Sequence, residues 1–218
     1  MSDDGGMADT PPARSVKIGA DERTGWSSER PRRDAGPPRP PDISVRCRVL
    51  APTDRMRYSP GSLVVVVGAP ASEAAKFADR VIQERGAVLS LARVRTLLAG
   101  RVPEGEVETR APELLAAAVG KRLQAGQSVV VPVETLDPGE REVFVRLAHG
   151  RQRPRHIILV EAARDAVPDD DRPALDELRR ALDAGELGQE GFQTALRLSG
   201  PALAELKRVV FARRPPED

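Results

Sequence analysis

The sequence predicts an α/β fold in which a mostly parallel sheet lies between layers of helices. The first sign is the run 63–67, five apolar residues of which four are β-branched, a pattern typical of a strand buried on both faces. Helical spacing follows, because apolar side chains recur at Ala74, Phe77, Ala78, Val81 and Ile82. Apolar runs and amphipathic segments then alternate along the chain, which implies right-handed crossovers and a sheet covered on both faces.

The later elements are predicted from periodicity and from glycine positions. Gly86, Gly100 and Gly126 are expected to end the first three helices. Residues 101–109 are predicted to be a polar connection, and short segments at 201–206 and 209–211 complete the order. Helices are predicted over about 73–85, 91–99, 111–125, 138–149 and 174–184, and strands over 62–67, 87–90, 128–131, 157–160 and 193–198.

Composition divides the chain into an arm and a domain. Residues 1–42 are rich in proline, arginine and aspartate and are predicted to be disordered, with a polyproline-type spacer at 36–41. Trp26 with the arginines at 30, 32 and 33 forms a candidate docking motif, although a solvated linker is the favoured interpretation. Residues 43–61 are predicted to form an edge strand and linker, 62–212 the main domain and 213–218 a tail.

Charge and cysteine content exclude several classes of protein. Lys and Arg number 34 against 33 Asp and Glu, so there is no overall basic signal for nucleic acid. Cys47 is the single cysteine, and His149 and His156 are poorly spaced for zinc, so we expect no disulfide and no metal site. The N-terminus lacks the apolar stretch of a signal peptide and no run is long enough to span a membrane, so a cytoplasmic location is expected.

A buried strand, a glycine and an amphipathic helix are the context in which a phosphate-binding P-loop is built. In the motif G-x-x-x-x-G-K-[ST] counted from Gly68, the second glycine falls on Glu73, the lysine on Ala74 and the hydroxyl residue on Ala75. The strand–loop–helix frame is therefore present, but the residues that would bind phosphate and Mg²⁺ are not. We interpret the segment as a vestigial phosphate loop comprising Gly68, Ala69, Pro70, Ala71, Ser72, Glu73, Ala74 and Ala75.

The order of motifs resembles the kinase domain of the bacterial polynucleotide kinase-phosphatases, within the P-loop ATPases of the zeta-toxin and nucleoside-kinase type. The resemblance covers about residues 63–211 and implies a P-loop NTPase-like three-layer sandwich. The motifs that carry it are the strand and loop opening at 63–70, the segment from Leu89-Ser90 to Arg95, residues 126–131 with Leu136-Asp137-Pro138 and Arg141, Asp171-Arg172-Pro173, and Glu190-Gly191-Phe192.

The resemblance also implies site residues, several of which are missing. ATP and Mg²⁺ would be the cofactors, but the lysine and the hydroxyl ligand of the loop are both alanine here. The family's catalytic aspartate aligns with Leu91 or Ala92, and its acidic residue after the third strand aligns with Pro132. The cationic positions that remain are candidate phosphate contacts, namely Arg95, Arg141 and Arg172.

Several alternatives stay open from the sequence. Glu73 is either a built-in anion that occupies the phosphate cradle or an ordinary first-turn acid, while Ser72 is expected to cap the helix and Lys76 to point away from the phosphates. The two histidines are expected to be structural.

A local basic patch at Arg151, Arg153 and Arg155 is either solvated or a contact for nucleic-acid phosphates. We predict a pseudo-kinase without catalytic residues that binds a protein or nucleic-acid partner. The alternative is an ATP-dependent kinase of a polynucleotide or small hydroxyl acceptor with rebuilt phosphate contacts.

Overall fold

The computed structural model describes residues 41–212, so the predicted arm, apart from Pro41 and Asp42, and the predicted tail lie outside the described residues. The strands are β1 Arg48–Leu50, β2 Arg55–Tyr58, β3 Leu63–Ala69, β4 Val129–Pro132, β5 Arg155–Glu161, β6 Thr194–Ser199 and β7 Arg208–Phe211. The helices are α1 Ala71–Val81, α2 Leu91–Leu98, α3 Glu104–Gln124, α4 Pro138–His149, α5 Arg172–Asp183 and α6 Gly200–Glu205.

The main sheet has five strands in the order β1-β6-β5-β3-β4, and every neighbouring pair is parallel. β3 lies inside the sheet, where Val65 is opposite Val131 of β4 on one side and Ile157 of β5 on the other. All residues of β3 and β5 are buried, as both faces are covered. The predicted α/β fold with a mostly parallel sheet is confirmed.

Alternate residues of the central strands point into two separate cores. Val65 and Leu159 pack on the face that carries α3, α4 and α5. Val64 and Val160 pack on the opposite face against α1, whose buried stripe includes Phe77, and against the small parallel sheet formed by β2 and β7. These layers leave the two ends of the parallel strands as the places where loops meet.

The predicted elements differ from the structure at several ends. β3 continues through Gly68 to Ala69, so the glycine does not end the strand. α1 ends at Val81 rather than near residue 85, because Ile82 turns to an extended conformation, buries its side chain and bridges to Val209. Gly86 lies in the short 3₁₀ turn Arg85–Ala87 and does not cap α1.

Two further predictions need correction. The strand expected at 87–90 is reduced to a single bridge between Val88 and Val130. The expected polar connection at 101–109 is largely helical, because α3 begins at Glu104, where first-turn acids favour a helix N-terminus. By contrast, α4 has the predicted bounds, and Gly100 and Gly126 follow their helices with the positive φ that glycine tolerates.

The segment 43–61 contributes to both sheets. Only residues 48–50 of the predicted edge strand pair, as β1 beside β6, while Ile43 is buried in the core that contains α4. The remainder includes β2, which pairs with β7. Within the described residues, no helix is both long enough and apolar enough to span a membrane.

Candidate functional site

The strand order places a topological switch point at the carboxyl end of β3. The next strand in sequence, β4, lies on one side of β3, and β5 lies on the other. In open parallel sheets, ligands bind in the crevice outside the carboxyl ends of the strands at such a point. The predicted phosphate loop leads out of this end of β3, which makes this edge of the sheet the candidate site.

The connection from β3 to α1 is only one residue long. β3 ends at Ala69, Pro70 is the N-cap residue, and α1 begins at Ala71. Residues 71–75, which the motif assigned to the phosphate loop and the start of its helix, all lie within α1. A backbone loop that could wrap around a phosphate group is therefore replaced here by a direct strand-to-helix turn.

Gly68 allows α1 to approach β3 at this turn. A Cβ atom added at residue 68 would lie 2.8 Å from the backbone nitrogen of Ala74, which is closer than real Cβ contacts. Ala74 itself is fully buried in the core beneath α1. The position that the motif reserves for a phosphate-binding lysine is thus a packing position in this chain.

Glu73, in the first turn of α1, pairs with Lys76 one turn further along the helix. The Glu73 carboxylate accepts a hydrogen bond from Lys76 Nζ at 2.7 Å, and the lysine side chain is 69% exposed. This contact matches ordinary first-turn acid placement rather than a carboxylate directed at the helix N–H groups. Ser72 makes no capping hydrogen bond, since the cap position is Pro70, so its predicted capping role is wrong.

Arg95 is held by two carboxylates from different elements. Its Nε and Nη2 donate to Glu108 of α3 at 2.8–3.1 Å, and its Nη1 donates to both oxygens of Glu134 at 2.7 Å. The hydrogen bonds that Arg95 donates to Glu108, and then those to Glu134, raise the pKa of its guanidinium above its ordinary value. Because Glu134 follows β4, this ion-pair cluster lies at the carboxyl edge of the sheet.

Arg141 is buried and carries a structural ion pair. Its Nη2 donates to Glu190 Oε1 at 2.7 Å, its Nε donates to Glu190 Oε2, and its Nη1 donates to the carbonyl of Leu136 at 2.7 Å. The side chain is only 3% exposed. Arg172 is partly exposed and pairs with Asp169 at 2.6 Å. Each of the three candidate phosphate contacts therefore already has a carboxylate partner.

A buried carboxylate beside the switch point was missed by the sequence analysis. Glu161 ends β5, directly opposite Ala69 in the sheet, and accepts hydrogen bonds from Arg179 and Arg197 at 2.7–3.3 Å. Burial raises the pKa of this carboxyl, but the hydrogen bonds from the two arginines outweigh burial and lower it below its ordinary value. The signal in the sequence was an acidic residue directly after an apolar run, since such a residue falls at the carboxyl edge.

Glu140 was also missed, and it orders the turn between β4 and α4. Its carboxylate accepts hydrogen bonds from the backbone N–H groups of Glu134 and Thr135 and from the Thr135 hydroxyl, at 2.7–3.0 Å. Asp137 caps α4 by accepting from the Gly139 N–H. These contacts fix the loop that separates two clefts.

One of the two clefts, the α2–α4 cleft, lies between α2, α3 and the first turns of α4. Its volume is about 440 Å³. Its lining includes Leu91, Leu115, Val143 and Phe144, with Arg95, Glu134, Asp137 and Glu140 among the polar groups. The second, the α4–α5 cleft, has a volume of about 470 Å³ and is lined in part by Asp137, Arg141, Asp171, Glu177 and Glu190. Among the described residues, no group of three or more His, Cys, Asp or Glu side chains is arranged to hold a metal ion.

The predicted basic patch is partly buried. Arg151 and Arg153 donate to the carbonyls of Leu147 and Leu123, near the C-termini of α4 and α3. Arg155 is buried and contacts His149 Nδ1, so it does not belong to an exposed patch. Cations at helix C-termini stabilise the helices, and a contact with nucleic acid stays a prediction.

His156 is a buried structural residue at the amino end of β5. Its Nδ1 lies 2.8 Å from Thr194 Oγ1, its Nε2 lies 3.3 Å from Ser62 Oγ, and its ring packs on Tyr58. Burial lowers the pKa of the imidazole to about 4. The cluster is at the opposite end of the sheet from the candidate site.

Comparison with known proteins gives structural neighbours but no family. No protein-family model and no curated protein matches the chain. Among solved structures, Mycobacterium tuberculosis APS kinase in complex with AMPPNP and APS aligns with a TM-score of 0.39 and 13% identity, covering 68% of this chain and 94% of that one. A Deinococcus radiodurans tunicamycin resistance protein aligns with a TM-score of 0.36 and 17% identity, covering 62% and 85%.

A sugar kinase from a Janibacter species, unliganded, aligns with a TM-score of 0.33 and 17% identity, covering 66% of this chain and 90% of its own. Kinases are thus among the structural neighbours of this chain. The fold class rests on the parallel sheet and its switch point.

Proposed function

We propose that this chain is a pseudo-kinase, a non-catalytic binding module on a P-loop-like α/β frame. The observation that carries the proposal is the one-residue connection between β3 and α1, where a phosphate loop would otherwise be needed. In a functional P-loop, backbone N–H groups, a lysine and a hydroxyl hold the phosphates and Mg²⁺. Here Ala74 and Ala75 occupy the lysine and hydroxyl positions within a packed helix.

The arrangement of cations supports the same proposal. Arg95, Arg141 and Arg172 would each have to leave a carboxylate before meeting a phosphate. For the buried Arg141 this exchange is costly, because Glu190 would be left as a partly buried charge without its partner. The family's base position falls on Leu91 or Ala92, neither of which can accept a proton, and Leu91 lines the α2–α4 cleft.

Nucleotide titration tests the proposal. The full chain is titrated with ATP, with and without Mg²⁺, and the midpoint of thermal unfolding is followed. A ligand at 100 times its dissociation constant stabilises a protein by about 2.7 kcal/mol, so binding would give a clear shift. We expect a flat response, and a large Mg²⁺-dependent shift would contradict the proposal.

The variant Glu73→Gln separates two explanations of a flat response. If the Glu73 carboxylate repels phosphate from an otherwise competent site, the amide should restore binding of ATP. Since this carboxylate is paired with Lys76, we expect the variant to remain unresponsive. Glu104→Gln is a matched control, because it removes an exposed carboxylate from the first turn of another helix, α3.

An ATP-dependent kinase with rebuilt phosphate contacts is the second candidate. The observation that favours it is the α2–α4 cleft, which opens at the carboxyl edge beside Arg95 and could receive an acceptor. The resemblance to polynucleotide kinases makes a 5′-hydroxyl oligonucleotide the acceptor to test. Transfer of labelled γ-phosphate from ATP to that oligonucleotide, lost in Arg95→Gln, would establish this candidate and refute the first.

A further inference from the structure

We infer that the α2–α4 cleft binds a segment of a partner protein that carries an apolar side chain flanked by arginine or lysine. This inference rests on the proposed binding function and names the chemistry of the partner. The volume of the α2–α4 cleft, about 440 Å³, lies within the range of specific ligand sites, roughly 300–1,000 Å³. The cleft lies at the carboxyl edge of the sheet, where Glu134 and Thr135 follow β4, and this class of fold places ligands along that edge.

The floor and mouth of the cleft are apolar. Leu115 and Phe144 reach it from the core with 3% and 5% of their surfaces exposed, and Leu91 completes this floor. Val143 stands at the mouth with 49% of its surface exposed, so the apolar lining continues outward from the floor. An incoming aliphatic or aromatic side chain would cover this surface.

The charges around the floor select the flanking groups of the ligand. One cationic residue, Arg95, and three acidic residues, Glu134, Asp137 and Glu140, line the cleft. Arg95 is already shared between Glu134 and Glu108. In the part of the chain that the structure describes, Asp137 and Glu140 accept from backbone N–H groups rather than from cations, so the rim keeps a net negative charge.

The negative surface continues into the neighbouring α4–α5 cleft. The two clefts share Thr135 and Asp137, and the second adds Asp171 and Glu177. Its arginine, Arg141, is neutralised by Glu190. A surface of this sign attracts basic residues on both sides of an apolar anchor and repels the phosphates of nucleotides and nucleic acids. A basic protein segment therefore fits better than an oligonucleotide.

Two peptide probes test the inference on the full chain labelled with ¹⁵N. The blocked tetrapeptides Arg-Leu-Phe-Arg and Glu-Leu-Phe-Glu share the apolar centre and differ in charge. The basic peptide should shift the amide signals of α2, of residues 134–140 and of the first turns of α4, and added salt should weaken its binding. The acidic peptide should leave these signals unchanged.

Matched variants test the position of the site. Val143→Lys places a cation at the mouth and should weaken binding of the basic peptide by about tenfold. Leu114→Lys makes the same change at a residue of α3 that is 45% exposed but does not line the cleft, and it should alter binding by less than about twofold. Val143→Glu should bind the basic peptide better than Val143→Lys does.

The inference is overturned if neither peptide shifts these signals, if both bind equally, or if Val143→Lys binds as well as the unmodified chain. A short oligonucleotide that shifts the same amides would overturn it too. If the peptides and ATP all fail to bind, the cleft inference is lost while the binding-module proposal stands. Phosphate transfer by the chain would refute the proposed function, whatever the peptides do.

Discussion

Acidification should destabilise the folded chain through His156. Ser62 donates its hydroxyl proton to the carbonyl of Ser59 at 2.7 Å, so the imidazole must donate from Nε2 to Ser62 Oγ and accept from Thr194 at Nδ1. This neutral tautomer fits the buried cluster. A proton added at Nδ1 would remove the acceptor and place a charge on a side chain that is only 8% exposed.

The size of the effect follows from the pKa of His156. Burial lowers it from 6.5 to about 4, so between these values the unfolded chain holds a proton that the folded chain does not. Stability therefore rises with pH through this window and falls as pH drops, by about 1.4 kcal/mol per pH unit and about 3 kcal/mol in total. Between pH 7.5 and 5 the expected loss from this group is about 2 kcal/mol.

Urea unfolding of the unmodified chain and of His156→Gln at several pH values measures this contribution. The difference in unfolding free energy between the two should shrink by about 2 kcal/mol from pH 7.5 to 5, because glutamine cannot take up the proton. Tyr58→Phe is the control, since it keeps the ring that packs on the imidazole with centroids 4.5 Å apart and should keep the pH dependence. A difference that does not change with pH would refute the assigned neutral, buried state.

Three further substitutions test the packing, each measured by urea unfolding at neutral pH. Glu190→Gln should lower the free energy of unfolding by about 3 kcal/mol or more, because it leaves the buried Arg141 guanidinium without its carboxylate. A decrease below about 1 kcal/mol would contradict this. Gly68→Ala should lower the free energy of unfolding by about 1–3 kcal/mol, because the new methyl group would lie 2.8 Å from a backbone nitrogen of α1. The control is Gly105→Ala, which has open space around it and should be neutral or stabilising. Tyr58→Phe should stabilise the fold by about 1 kcal/mol, because among the described residues the buried Tyr58 hydroxyl has no partner, and any destabilisation would contradict this reasoning.

The sequence was sufficient to predict elements whose signals are local. β3 was recognisable because its valines leave no polar face. α4 keeps its predicted bounds because Asp137 caps its start and Pro138 is tolerated in its first turn. The early end of α1 was not predictable in this way. Ile82 fits the helical spacing, yet it leaves the helix to bridge to β7, a contact with a residue 127 positions later. Tertiary packing overrode the local pattern there.

The candidate site was predictable in position but not in charge. A strand followed by a glycine and a helix was enough to place the candidate phosphate loop at residues 68–75, which the structure puts at the carboxyl end of β3 and the start of α1. The partners of the arginines were not visible, because Glu134 is 39 residues from Arg95 and Glu190 is 49 residues from Arg141. Only the fold brings those charges together, and their pairing changes what the arginines can do.

Charge at the carboxyl edge, more than the fold itself, is the basis of the ligand that we propose for this chain. The sheet presents the same geometric crevice that phosphate-binding proteins of this class use. Here, however, the buried carboxylate of Glu161 binds Arg179 and Arg197, and Arg95 is shared between two glutamates. A phosphate would have to compete with these carboxylates in a partly buried setting, where like-charge repulsion is stronger than in water. The cationic segment that we propose as the ligand of the α2–α4 cleft would instead meet the unpaired acidic groups Asp137 and Glu140, which accept only from backbone N–H groups and a hydroxyl among the described residues.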